Sequence, residues 1–391
     1  MRGVDALKNE VVEQVEALRR ELIDLSLKIH ASPEIAFRET KASRWLTEYL
    51  EGKGFAVERG ICRLETAFRA SSGEGAPRVA LLAEYDALPG IGHACGHNLI
   101  AMASVGAGVA ARAVLPETGG TVLVIGTPAE EAAGGKVLMA ARGAFDGLDA
   151  AMLTHPGSRD SSISHGLALI ELTVEYFGKA AHAAARPEAG INALDAMVIA
   201  YNSVSALRQH IRSSARIHGI ITDGGQATNV VPEHTAASFL VRAEDDEYLD
   251  QLRPRVLACF QAGAEATGAR MEYRWGEETR YRAVRSNHAL AETFARNLEA
   301  LGRRVSESEE SHSMGSTDMG NVSAVVPAIH PTVAIAPPDV AIHTAQFREL
   351  AASEEGMKGM LDAAKAMAMT VVDVLMDADL RRRMQEEFRG Q

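Results

Sequence analysis

Three short, almost wholly apolar runs constrain this chain more than any other feature. Val79-Ala80-Leu81-Leu82-Ala83 leads into Glu84-Tyr85-Asp86. Thr121-Val122-Leu123-Val124-Ile125 leads, through Gly126-Thr127-Pro128-Ala129, into Glu130-Glu131. Ala150-Ala151-Met152-Leu153-Thr154 leads into His155-Pro156-Gly157. Runs without polar alternation are strands covered on both faces, and Leu99 to Val114, between the first two, reads as a buried helix. Buried strands alternating with helices predict an α/β sheet. Ligands in such sheets bind beyond the carboxyl ends of the strands. Each strand here sets a carboxylate or an imidazole just past that end.

The flanking segments fill in the organisation. Val11, Val15, Leu18, Leu22, Leu25 and Ile29 recur at helical spacing within residues 4 to 30, and Thr40 to Leu50 reads as a second helix stopped by Gly52 and Gly54. From about Leu167 the texture changes to alternation, with Glu171, Thr173 and Glu175 on one face of a strand. A helix over 191–208, strands over 217–222 and 235–242, a helix over 244–264 and a strand over 271–275 follow. That order is a split βαβ, ferredoxin-like unit. Helices over 288–301 and 351–376 flank a strand over 331–336. The expected fold is α/β: a catalytic domain with a mixed sheet flanked by helices, residues 1–166 and 278–391, interrupted by an inserted α+β unit over 167–277. Ser306 to Ser313, rich in Ser and Glu, reads as an exposed loop.

Composition narrows the function classes. With 391 residues the chain is about twice an ordinary single domain, which agrees with two compact units. A formal net charge of -12, from 52 acidic and 40 basic residues, argues against a nucleic-acid surface. The apolar run Leu99 to Ala111 is too short to span a bilayer. The acidic N-terminus lacks a signal-peptide apolar region. Cys62, Cys95 and Cys259 are an odd number at wide spacing, which fits a reducing compartment better than a disulfide framework. A cytoplasmic protein with a small-molecule substrate is expected, without nucleic-acid or membrane partners.

The chemistry concentrates at the strand ends. In Gly92-His93-Ala94-Cys95-Gly96-His97-Asn98, a Cys and a His two apart on a Gly-flanked loop can face one cation, and thiolate with imidazole suits Zn²⁺ and its neighbours. The same segment also reads as a turn with a buried Cys, or as a Cys95 nucleophile activated by His93 or His97. Adjacent carboxylates at Glu130-Glu131 repel each other unless a cation or a proton compensates. With a metal present, one ligates and the other serves as general base. His155 ends the third strand, and His343 follows a strand of the C-terminal portion. One Cys, three His and one Glu exceed the ligand set of a simple hydrolytic zinc site. They match two cations about 3.5–4 Å apart that share a bridging ligand.

This strand-end set, with Asp86-Ala87-Leu88-Pro89 ahead of it, resembles the M20 metallopeptidase and amidohydrolase family. It is most similar to the Cys-containing branch and its p-aminobenzoyl-glutamate hydrolase and β-alanyl dipeptidase-like subgroup. Gly315-Ser316-Thr317-Asp318, Gly178-Lys179-Ala180-Ala181-His182-Ala183 and Gly190-Ile191-Asn192-Ala193-Leu194 agree in order. The resemblance implies that Cys95, His97, Glu131, His155 and His343 are metal ligands and that Glu130 is the general base. It implies that His182 and Asn229 bind and polarise the scissile carbonyl, in some members from the partner subunit. The inserted unit is then a lid or dimerisation domain, and the chain a homodimer or higher oligomer. Many family members carry a ligand His where this chain has Glu84; the ligand set then shifts to Cys95 and His97, leaving Asp86 to orient them. Two divalent ions per subunit follow, Mn²⁺ or Zn²⁺, with Co²⁺ or Ni²⁺ as further options. The expected reaction is hydrolysis of an amide bond in an N-acyl or N-aminoacyl amino acid, p-aminobenzoyl-glutamate-like or a dipeptide, by metal-activated water. The competing readings are a metal-dependent deaminase acting on an aromatic or amidine carbon, a metal-containing binding module without catalysis, and a cysteine hydrolase whose activity survives chelation.

Overall fold

A computed structural model describes residues 2–306 and 315–390. The Ser/Glu-rich stretch beyond Ser306 therefore lies outside the described residues. Two helices open the chain, α1 (Val4–His30) and α2 (Thr40–Gly52). Next come β1 (Ala56–Arg59), β2 (Phe68–Glu74), β3 (Arg78–Ala83), α3 (His97–Arg112), α4 (Leu115–Thr118), β4 (Gly120–Gly126), α5 (Glu130–Ala133), α6 (Gly135–Ala141), β5 (Ala150–Met152) and β6 (His155–Gly157). The middle of the chain gives β7 (Ala168–Phe177), α7 (Ala193–Leu207), β8 (Arg216–Asp223), β9 (His234–Ala243), α8 (Asp246–Thr267) and β10 (Arg270–Trp275). The remainder gives α9 (His288–Ala300), α10 (Met319–Ser323), β11 (Ala328–Ile329), β12 (Thr332–Ala334), α11 (Ala345–Leu350), α12 (Glu354–Met376) and α13 (Ala378–Gly390). The described chain divides into two compact units, one up to residue 165 and from 284 onward, the other 166–283 with 315–316.

The first unit is built on a six-stranded sheet in the order β1-β2-β4-β3-β5-β11. The β1–β2 and β2–β4 pairs are antiparallel, and β4, β3, β5 and β11 run parallel. Strand alternation sorts the apolar side chains between two cores. Val79, Leu81, Val122 and Val124 join α1, α3, α9 and α12 in the larger one, while Ala80, Leu82, Leu123 and Ile125 join Met139, Phe145 and Val322 in the smaller. Each fully buried aliphatic side chain stabilises by about 1.5–3 kcal/mol. A one-residue slip would swap every one of them to the wrong core, so the register is strongly set. Gly108 lets α3 lie close on the sheet, since a Cβ there would stand 2.4 Å from Val124 Cγ2.

Two details depart from the sequence reading and bear on the site. The third strand stops at Met152, and His155 instead opens β6, which pairs with β12 in a separate two-stranded parallel sheet, Thr332 opposite His155. The expected strand over 331–336 is present only as β12, Thr332–Ala334, and the short β11 ahead of it was not expected. Pro331 has no N–H to offer a continuing ladder and lies in the gap between β11 and β12, which explains that break. The β1–β2 edge and α13 carry too little apolar pattern to be read from sequence.

The second unit has β7, α7, β8, β9, α8 and β10 in chain order and the sheet order β10-β7-β9-β8, all antiparallel, the ferredoxin-like arrangement. Ile170, Leu172, Val174 and Tyr176 alternate with half-exposed residues and meet Phe239, Val241, Phe260 and Val256 in a core of the unit's own. Asn192 and Asp245 cap α7 and α8 by accepting from backbone N–H groups of their first turns. The return stretch through Ala283 belongs to this unit because Tyr281 pairs with Leu169.

Candidate metal centre

The centre assembles from four chain turns, all in the first unit. Past β3, Glu84 and Asp86 are buried, and the chain loops back to α3 through Gly96, whose φ of 78° an L side chain rarely adopts. A Cβ on Gly96 would also lie 2.6 Å from Pro156 Cγ. This tight corner sets Cys95 and His97, both buried, on either side of one backbone bend. Past β4, Ala129 has a left-handed φ of 62° and its N–H donates to Glu39 Oε1 at 3.0 Å. Glu39 also accepts from Phe37 N at 2.8 Å and Thr66 Oγ1 at 2.9 Å, so this buried carboxylate holds the turn that presents Glu130 and Glu131. His343, also left-handed at φ 65°, donates its N–H to Ala94 O at 2.9 Å, which joins it to the Cys95 loop across 249 positions (343 − 94).

The side chains converge. Cys95 Sγ lies 3.3 Å from His155 Nε2, and His155 Nδ1 donates to Pro156 O at 2.7 Å, which turns the Nε2 lone pair toward the thiol. His97 Nδ1 donates to Asp86 Oδ1 at 2.9 Å, and Asp86 Oδ2 accepts from Glu131 N at 3.0 Å. Asp86 thereby fixes one imidazole and one carboxylate at once. Glu131 Oε1 is 3.9 Å from His97 Nε2 and 3.4 Å from His343 Nε2. Donor atoms of Cys95, His97 and His155 lie within 4.8 Å of one another, as do those of Cys95, Glu131 and His343, and those of His97, Glu130 and Glu131. Cys95, His97 and Glu131 each belong to two of these sets, and Cys95 alone joins the His97/His155 set to the Glu131/His343 set.

Electrostatics point the same way. His97 Nε2, Glu84 Oε2 and Glu131 Oε1 are buried with no hydrogen-bond partner, a costly state for polar atoms. Burial disfavours a charged His97, but Asp86 and Cys95 outweigh it and hold its pKa well above the usual histidine value. The pocket thus attracts positive charge at this point. Burial pushes the Cys95 thiol up, so a thiolate here calls for a cation beside it. Burial, then Glu84 and Asp318, push the Glu130 carboxyl well above its ordinary range. Convergent sulfur, imidazole and carboxylate donors fit divalent transition metals.

Sequence reasoning missed a second cluster beside the first. Lys136, fully buried, places Nζ 2.5 Å from Glu84 Oε1 and 2.7 Å from Asp318 Oδ1, and its backbone N–H donates to Asp318 Oδ2 at 2.9 Å. A lone lysine in Gly134-Gly135-Lys136-Val137-Leu138-Met139 was the available signal. His330 was missed too; it is buried, stands edge-on to His155 at 5.6 Å between ring centroids, and burial lowers its pKa to about 3. His182 and Asn229 belong to the second unit, where they share one exposed corner: Ala183 N donates to Asn229 O at 3.0 Å, and His182 Nδ1 accepts from Ala184 N and Ala185 N.

The chain resembles known proteins over nearly its whole length. Residues 80–369 match peptidase family M20/M25/M40. The chain is 39% identical over 402 residues to the Xaa-Arg dipeptidase of Mus musculus, covering 99% of this chain and 93% of the relative. It is 30% identical over 451 residues to a p-aminobenzoyl-glutamate hydrolase component of Escherichia coli (strain K12), covering 96% and 93%. Among solved structures, a Bacillus subtilis protein described as a dinuclear metal binding peptidase of the M20 family superposes with a TM-score of 0.73 at 20% identity, over 92% of this chain and 99% of that one. This last likeness is one of fold.

Proposed function

The chain belongs to peptidase family M20/M25/M40 and is a metal-binding hydrolase of amide bonds, and from that premise we propose that Cys95, His97, Glu131, His155 and His343 hold two divalent cations, with Cys95 shared. The observation that carries this reading is the membership of Cys95 in two convergent donor sets. Mn²⁺ or Zn²⁺ suits the mixed sulfur, nitrogen and oxygen donors. Bound cations supply Lewis acidity toward the scissile carbonyl and the attacking water. Glu130, with its proton affinity raised by burial, takes a proton from that water and delivers it to the departing amine. Asp86 engages His97 Nδ1, which leaves Nε2 as the nitrogen that would meet a cation, and holds the Glu131 backbone in place. His182 and Asn229 donate to the developing oxyanion from the inserted unit, which acts as lid and dimer contact in a cytoplasmic enzyme.

For substrate, the identity of 39% to a dipeptidase over nearly the whole chain favours a dipeptide over p-aminobenzoyl-glutamate, where the identity is 30%. A net charge of -12 further favours a cationic C-terminal residue. The test is hydrolysis by metal-stripped protein reconstituted with Mn²⁺ or Zn²⁺, offered Xaa-Arg and Xaa-Lys dipeptides, neutral dipeptides, N-acetyl amino acids and p-aminobenzoyl-glutamate. Activity should vanish on chelation and return with the ion, with basic dipeptides first in kcat/KM. Turnover that survives chelation but not thiol alkylation would remove the metal assignment, and preference for p-aminobenzoyl-glutamate would overturn the substrate. Sedimentation that finds only monomer would remove the dimer.

A further inference from the structure

The second carboxylate cluster has the makings of a cation site. Glu84, Glu130 and Asp318 bring carboxylate oxygens within 4.8 Å of one another, Glu84 and Asp318 being almost fully buried. Glu84 Oε2 is buried and unpartnered, 3.5 Å from His97 Nε2. Three like charges at this spacing in a low-dielectric interior repel strongly, and oxygen clusters of this kind ordinarily gather a hard divalent ion. Here a cation is already present, and it is covalently part of the chain. The Lys136 ammonium touches Glu84 and Asp318, and its backbone N–H is fastened to Asp318 as well, so the stem cannot swing away without breaking both contacts.

We infer that Lys136 is a resident counter-cation: it fills the position at which Glu84, Glu130 and Asp318 would otherwise collect an additional divalent ion, and so confines metal uptake to the neighbouring Cys95, His97, Glu131, His155 and His343 set. The inference rests on that ligand reading. Burial alone would favour a neutral lysine, but Asp318, Glu84 and Glu130 reverse this and keep the ammonium charged. A monovalent, immobile cation offsets part of the cluster's charge without offering open coordination positions. Glu130 consequently stays out of ligation and available for proton transfer. A lysine is also insensitive to which metals are abundant, so the charge beside the general base does not vary with supply.

The experiment counts metal in wild type, K136A, K136R and the charge-neutral triple variant K136M/E84Q/D318N after equilibration with Mn²⁺ and gel filtration, by elemental analysis and by Mn²⁺ electron paramagnetic resonance. Wild type retaining no metal would defeat the ligand reading itself. Given a loaded wild type, K136A should retain about one further equivalent per subunit with a new resonance environment, while K136R and the triple variant match wild type. A folded K136A with the wild-type count overturns the inference. K136A that stays insoluble in millimolar Mn²⁺ while the triple variant folds overturns it equally, because a divalent ion then fails to replace the ammonium.

Discussion

At the scale of the residue, neighbouring carboxylates have been given different tasks by what surrounds them. Glu131 faces His343 and His97, and despite burial these hold its pKa below the usual range, as suits a ligand. Glu130 is buried toward Glu84 and Asp318 and its pKa is raised. Glu130→Gln is therefore expected to keep the metal content of wild type while kcat falls about 10²–10⁴-fold, the usual cost of a lost general base. Elemental analysis alongside single-turnover rates checks this; metal lost in step with activity would make Glu130 a ligand instead. These residues were legible in sequence because each sits directly after a buried strand. Which of the pair ligates came only from the family resemblance, because the contacts that distinguish their surroundings involve Lys136 and Asp318, 182 positions apart. A Gly-flanked lysine reads as solvated until its partners are known.

At the scale of the element, the site depends on turns more than on helices or strands. The strands β3 and β4 were plain from their unbroken apolar runs. The turn after β4 is held by Glu39, from 90 positions earlier, and nothing local announces that contact. Burial raises the Glu39 carboxyl to about 7 from its ordinary value of 4.5. The folded protein thus binds this proton more tightly than the unfolded chain does. The resulting stability is fully present below about pH 4.5, is lost as pH rises through about 7, and amounts to at most about 3 kcal/mol. Glu39→Gln has no such proton to lose, so its melting temperature should fall less than that of wild type between pH 5 and 8. Parallel melting curves across that range would show that Glu39 does not set the slope.

At the scale of the whole molecule, each unit has its own core, and every proposed ligand lies in the first. Ligand binding stabilises the unit that contains the site, by about 4 kcal/mol at a thousandfold excess over Kd. Metal loading should therefore slow amide hydrogen exchange in α3, β3 and β4 and leave β7 and β9 unchanged. Equal slowing throughout would mean that the two units open as one cooperative body. The alternating texture that begins near Leu167 made the second unit legible. The return to the first was harder to place, because residues near Tyr281 carry no pattern beyond a single pairing with Leu169.

The first unit is discontinuous in sequence, and this dictates an order of events on the ribosome. Cys95 and His343 are separated by 248 positions (343 − 95), nearly half of them spent on the second unit. At about 5–20 residues per second, synthesis leaves roughly 12 to 50 s between the emergence of the shared thiol and that of the last imidazole. Once β10 is made, at residue 275, the second unit has all of its strands and can close by itself, while the nascent sheet still lacks β11 and α3 lacks its cover from α12. The inserted unit is thus available as a folded body before the unit that encloses it is complete, and a chain truncated ahead of residue 343 would present a bare thiol and an uncovered apolar helix to the translation machinery.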